Sequence, residues 1–262
     1  MGGASAGAAL DTPCGQVAGV PAGEFWMGSE EHAPETAPDE WPAHGVHLDS
    51  FDIDVHEVSN RCYEGFVEAG GYAESRYWSP EGWTWRVRER ITQPAFWAEP
   101  AFQVSHHPVA GVSWYETDAY CRRLGRRLPT EAEWEKAARG PHGRRYPWGA
   151  EWATHRANGD TATGGTTPVG SYPEGVSPYG AHDMAGNVWE WVRDWYGKYS
   201  YRESRPSNPQ GPSGGEGRVL RGGSWNFPPR HLRTAARTHL PPETRIRYLG
   251  FRCAGDGREM GR

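Results

Sequence analysis

Apolar and polar residues alternate along positions 46–56 (VHLDSFDIDVH), the period of a half-buried strand. Upstream, 18–28 (AGVPAGEFWMG) reads as a strand, a Pro-Ala-Gly turn and a second strand. Three helices have recognisable starts. The first opens at Ser59 or Asn60 as N-cap and turns Tyr63, Phe66 and Val67 inward. The second opens at Ser113. Glu116, three residues on, completes a capping box, in which each side chain satisfies a backbone N–H the helix leaves free. It runs through Tyr115, Ala119 and Tyr120 to a stop at Gly125. The third opens at Thr130 with Glu133 as partner, and Trp134 and Ala137 form its buried stripe. Residues 186–196 (GNVWEWVRDWY) and 218–225 (RVLRGGSW) read as strands. Residues 72–110 carry six Trp and Phe among Pro and Arg without a regular period, which predicts a long but packed loop. Residues 140–182 and 196–217 are Gly/Pro-rich loops, and no internal repeat is visible.

Composition changes this picture in one respect. The chain holds 35 Gly and 22 Pro in 262 residues, so much irregular backbone is expected, with 14 Trp filling a core that long helices do not supply. Hydrophobic content is low at 36%, but aromatic richness argues against disorder. The expected organisation is an arm over 1–17, a single domain over 18–256 and a tail over 257–262. The net charge of −5 argues against a nucleic-acid or membrane-surface role. No apolar run approaches the ~20 residues of a spanning helix. The first residues carry no basic-then-apolar leader pattern. The expectation is a cytoplasmic protein, or an exported one whose leader lies outside this sequence. Cys14, Cys62, Cys121 and Cys253 form no CxxC pair, which argues against a zinc ribbon or a thioredoxin-type site. There is no P-loop and no GxSxG elbow.

Seven segments in order carry a resemblance. They are 21–28 (PAGEFWMG), 51–60 (FDIDVHEVSN), 108–115 (PVAGVSWY), 127–135 (RLPTEAEWE), 186–191 (GNVWEW), 218–225 (RVLRGGSW) and 250–253 (GFRC). Together they resemble the formylglycine-generating-enzyme (sulfatase-modifying-factor) superfamily. The resemblance implies an α+β, irregular C-type-lectin-like fold. It implies structural calcium held by Asp183, the carbonyls of Gly186 and Val188, and Glu190, with Asn158 at a second site. It pairs Cys121 with Cys253 and leaves Cys14 and Cys62 as a second candidate pair; four reduced, buried cysteines are the alternative. The family's oxidase places two copper-binding cysteines after the Arg-Gly-Gly-Ser-aromatic strand. Here that stretch, 225–237 (WNFPPRHLRTAAR), has none, so formylglycine chemistry through copper is not expected.

The last third is most similar to the corresponding domain of ergothioneine-pathway sulfoxide synthases. Their iron motif, His-x-x-x-His-x-Glu, belongs to a separate helical domain and is not found here. The resemblance therefore implies a transition metal, iron or copper, whose ligands this sequence does not identify, and a protein partner supplying the missing domain.

Between 218 and 252 stand eight arginines and one acid, Glu243. In the family this stretch lines the pocket. The candidate substrate-binding residues are Trp225, Arg230, His231, Arg233, Arg237, His239, Arg245 and Tyr248, suited to a small anionic molecule or peptide. The alternative is that the arginines stack on tryptophans or pair with internal acids. Two functional readings follow. One is a metal-dependent oxidase- or oxygenase-like enzyme. The other is a non-catalytic binding module on a lectin-like scaffold.

Overall fold

The computed structural model describes residues 14–257. Of the arm expected over 1–17 and the tail over 257–262, all but 14–17 and 257 lie outside the described residues.

The regular elements are short and fall in three small sheets. Strands β1 (Val17–Val20), β4 (Phe51–Asp54) and β9 (Ala254–Asp256) form one, antiparallel throughout. Strands β2 (Gly23–Met27) and β3 (His44–Leu48) form a second. The third runs in the order β7 (Arg237–Leu240), β6 (Arg218–Arg221), β5 (Trp189–Trp195), β8 (Leu249–Gly250). The helices are α1 (Asn60–Glu68), α2 (Pro80–Arg88), α3 (Trp114–Arg123) and α4 (Glu131–Arg139).

The two expected capping boxes form. Ser113 and Glu116 exchange bonds at 3.2 and 2.8 Å, and Thr130 and Glu133 at 3.1 and 2.7 Å. The alternating stretch 46–56 is two strands in different sheets, because the chain turns at Asp49–Ser50 and β4 pairs with β1 and β9. The predicted loop 72–110 contains α2, whose signals are local: Ser79 caps it, Pro80 occupies the first turn, and Trp85 is buried.

Strand β5 separates the two main cores. Side chains alternate across a strand, so Trp189 and Trp191 enter an aromatic cluster with Tyr63, Phe66, Trp85, Trp114 and Phe251. Val192 faces the opposite cluster, with Phe25, Val46, Phe51, Ile53 and Trp134. Helix α4 is buried at every residue, although its sequence EAEWEKAAR is more than half charged. Its charges are matched by the Glu135–Arg139 pair within the helix and by groups outside it. Lys136 Nζ donates to the carbonyls of Pro21 and Gly23 at 2.8 and 2.9 Å, and Glu131 and Glu135 meet arginines of β6 and β7.

Two disulfides tie these parts. Cys121 on α3 bonds Cys253, which precedes β9, with both sulfurs' residues fully buried. Cys14 bonds Cys62 on α1. Both candidate pairings therefore form, in place of the alternative of four reduced cysteines.

Candidate functional site

The basic segment turns largely inward. Arg252 is 0% exposed and grips both oxygens of Glu190 at 2.7 Å. Arg221, also 0% exposed, reaches Glu131 and Glu135 and the carbonyls of Thr234 and Ala235. Arg237 forks onto Glu131 at 2.7 Å twice, and Arg233 onto Glu40 at 2.7 Å twice. Arg245 pairs with Glu116 at 3.0 Å. A buried guanidinium without a carboxylate would cost several kcal/mol, and the planar fork matches a carboxylate edge to edge. These arginines hold the third sheet against α4, α3 and residues 38–40. The expectation that Arg233, Arg237 and Arg245 face an anionic ligand is thereby corrected, because their donors are taken up by internal acids. Arg233 does border a cavity of about 370 Å³ with Trp26, His142 and Arg145. His239 is separate from the others, stacked on Tyr196 at 3.8 Å.

The remaining candidates gather around Phe227. Its ring meets Trp189 at 5.6 Å, His231 at 5.5 Å and Tyr248 at 5.6 Å, all edge to face. Exposed Arg230 donates from Nε to Nε2 of His231 at 3.2 Å. Burial and the neighbouring Arg230 and Arg233 lower the His231 pKa, so its imidazole is neutral near pH 7 and Nε2 can accept that bond. Trp225 opens the same segment, half-buried, its carbonyl accepting from the Thr161 N–H. Tyr146, Trp148 and Trp152 pack together and join Phe227 through Leu232. The sequence reading left out Phe227 as a site residue, although it sits at the centre. Its signal was its place two residues after Trp225. No thiol takes part, because all four cysteines are oxidised.

The expected calcium ligands lie on a tightly curled loop. Asp183, Gly186 and Asn187 all have positive φ, of 56°, 90° and 62°. A Cβ on Gly186 would stand 2.1 Å from the Asn158 carbonyl oxygen, so only glycine fits. Asp183 accepts from the Gly170 N–H at 2.6 Å. Glu57, which follows β4, enters the same region. It accepts from Asn187 at 2.6 Å and from the Val188 N–H at 3.2 Å. Burial, then Asp183 and Glu190, push the Glu57 pKa well up. Burial raises Asp183 to about 6. Three buried carboxylates thus share one guanidinium, Arg252, an excess of negative charge that suits a hard cation.

One of the expected ligands, Glu190, is otherwise engaged. Both oxygens of Glu190 are held by Arg252, and Trp134 Nε1 adds a bond at 2.9 Å. Asp183 and Glu57 are the acids without an arginine clamp. At the second expected site, Asn158 braces its loop through Thr163, Gly165 and Asn187. Among the described residues, no three His, Cys, Asp or Glu side chains are arranged to hold a metal by themselves.

Comparison with known proteins agrees with this architecture. Residues 5–257 match the sulfatase-modifying factor enzyme 1-like domain, and the chain belongs to that family. It is 43% identical over 241 residues to the serine/threonine-protein kinase pkn1 of Chlamydia pneumoniae, covering 90% of this chain and 37% of the relative. It is 41% identical over 243 residues to the hercynine oxygenase of Mycobacterium tuberculosis, covering 85% of this chain and 56% of the relative. It is 38% identical over 283 residues to the formylglycine-generating enzyme of Streptomyces coelicolor, covering 90% and 88%. The chain spans 37% to 60% of the length of the first three curated relatives it matches. The structure of PvdO from Pseudomonas aeruginosa superposes with a TM-score of 0.72 at 25% identity, covering 92% of this chain and 94% of that one. The fold is the irregular, lectin-like α+β arrangement of this family.

Proposed function

We propose that this chain is the substrate-binding domain of an oxidase- or oxygenase-class enzyme acting on a small amino-acid-derived or peptidyl anion, and that it does not generate formylglycine by a copper–thiolate route. The observation that carries the second half is the state of the sulfurs. Soft Cu(I) needs thiolates, and here each cysteine sulfur is bonded to another, with Cys121 and Cys253 sealed in the core. What supports the first half is the 41% identity to a hercynine oxygenase together with the patch around Phe227. Hercynine, a trimethylated histidine, carries a carboxylate and a quaternary ammonium. Arg230 offers N–H donors to the first, and the faces of Trp225, Phe227 and Tyr248 suit the second. The transition metal, iron or copper, takes ligands from outside the described residues, on further chain or on a partner that supplies them. Calcium is proposed near Asp183, Glu57 and the Gly186 and Val188 carbonyls, bracing the loop that leads into β5. Two disulfides favour an oxidising compartment, and among the described residues no helix is long and apolar enough to cross a membrane.

The test is calorimetric titration with hercynine. Saturable binding, weakened about tenfold by Arg230→Ala as a charge-assisted contact is lost, supports the reading. Loss of mass from a sulfatase-motif peptide incubated with the protein, copper and oxygen would overturn it. A second reading, a non-catalytic binding module, is favoured by the 43% match to about a third of a protein named a kinase. Metal analysis of the protein purified together with the chain or partner that supplies the transition-metal ligands, without added metal, separates the two. Stoichiometric iron or copper supports the enzyme, and calcium alone supports the module.

A further inference from the structure

The end of β5 remote from Trp189 borders a second concavity, a groove of about 860 Å³. Its floor is formed by Arg193 to Trp195 and by Arg218, one side by the outer face of α3, and the other by loop residues between 200 and 213. It lies roughly 20 Å along the strand from the Phe227 patch, at about 3.3 Å per residue. The volume falls in the range of about 300–1,000 Å³ typical of small-ligand sites.

Arg218 differs from the buried arginines described above. Its guanidinium is sandwiched between the indoles of Trp114, at 3.7 Å, and Trp195, at 3.6 Å. Stacking covers both faces and leaves only the edge donors. One nitrogen donates to the Arg193 carbonyl at 2.6 Å, Nε has no partner, and among the described residues no carboxylate forms an ion pair with it. Burial lowers its pKa to about 10, as expected for a cation stripped of water without full compensation.

Two of the acids around the groove are already held by arginines, and a third by a backbone N–H. Asp118 pairs with Arg122 at 2.8 Å, Glu131 with Arg237, and Asp194 accepts the Glu131 N–H at 2.8 Å. Subtracting the ion pairs leaves Arg193, Arg205 and Arg218 lining the groove against two carboxyl groups without an arginine partner, exposed Glu203 and buried Asp194. We infer that this groove is a second, oxyanion-binding site, taking the phosphate or carboxylate of a small organic molecule on Arg218, Arg193 and Arg205. It is independent of the Phe227 patch and of the enzyme reading built on it.

The test is calorimetry of the full chain with phenyl phosphate and with phenylacetate, at matched ionic strength, with benzyl alcohol as the uncharged control. Saturable binding of at least one anion is expected, and the tighter one identifies the head group. Arg218→Gln should weaken it tenfold or more, as loss of a charge-assisted contact does. Because Arg218 also packs between two indoles, Arg193→Ser with Arg205→Ser, both exposed, gives an independent arm with the same expected loss. Arg230→Ser, at the other patch, should leave the affinity unchanged. Three results would each overturn the inference: no saturable heat with either anion, full affinity retained in both groove variants, or affinity lost in Arg230→Ser.

Discussion

Replacing Asp194 by asparagine should remove most of a pH-dependent loss of stability. Asp194 is 4% exposed on β5 and accepts the Glu131 N–H at the start of α4. Burial raises its pKa to about 7, with Glu131 and Glu133 adding repulsion, and the Glu131 N–H and Arg237 opposing it. The ordinary aspartate value is about 3.9. Between these two values the native state holds the proton and the unfolded chain has released it. The stabilisation is therefore fully present below about pH 4 and is lost as the pH rises through about 7. A rise of this size corresponds to roughly 4 kcal/mol at full effect. An amide cannot ionise, yet its carbonyl can still accept the Glu131 N–H. Urea denaturation of both proteins from pH 4 to 8 is the assay. The variant should gain on the wild type steadily with pH, approaching that magnitude by pH 8. Parallel stability curves would show that the buried carboxyl is not titrating there, and the reasoning would fail.

Removing the Cys121–Cys253 bridge, which spans 132 residues, should cost up to about 5 kcal/mol. Removing Cys14–Cys62, which spans 48, should cost about 4, and paired cysteine-to-serine variants under denaturant check both. Arg233→Glu with Arg237→Glu should destabilise by several kcal/mol and broaden or abolish the thermal transition, because each change places a second acid against Glu40 or Glu131. A cooperative melt near the wild-type temperature would show instead that these arginines are not structural. Adding calcium to chelator-treated protein should stabilise it by about 2.7 kcal/mol at a hundredfold excess over Kd, and Asp183→Asn should remove the gain.

Part of the order of the elements was legible because its signals are local. Ser113 with Glu116 and Thr130 with Glu133 announce their helices within four residues, and the WEWVRDW alternation of β5 reports a strand with two different faces. The two disulfide partners were legible through the family resemblance, and the absence of catalytic cysteines from a plain reading of residues 225–237. Which arginines are free was not legible. Arg233 reads the same in sequence whether it meets Glu40, 193 residues away in the chain, or open solvent. The same long-range pairing buries all of α4, whose charged sequence by itself predicts one buried stripe. Charge compensation acts through space between segments far apart in sequence. Local pattern therefore marked where several helices and strands begin, and only the tertiary arrangement decided which charges it consumes and which, such as Arg218 and Arg230, it leaves without a carboxylate among the described residues.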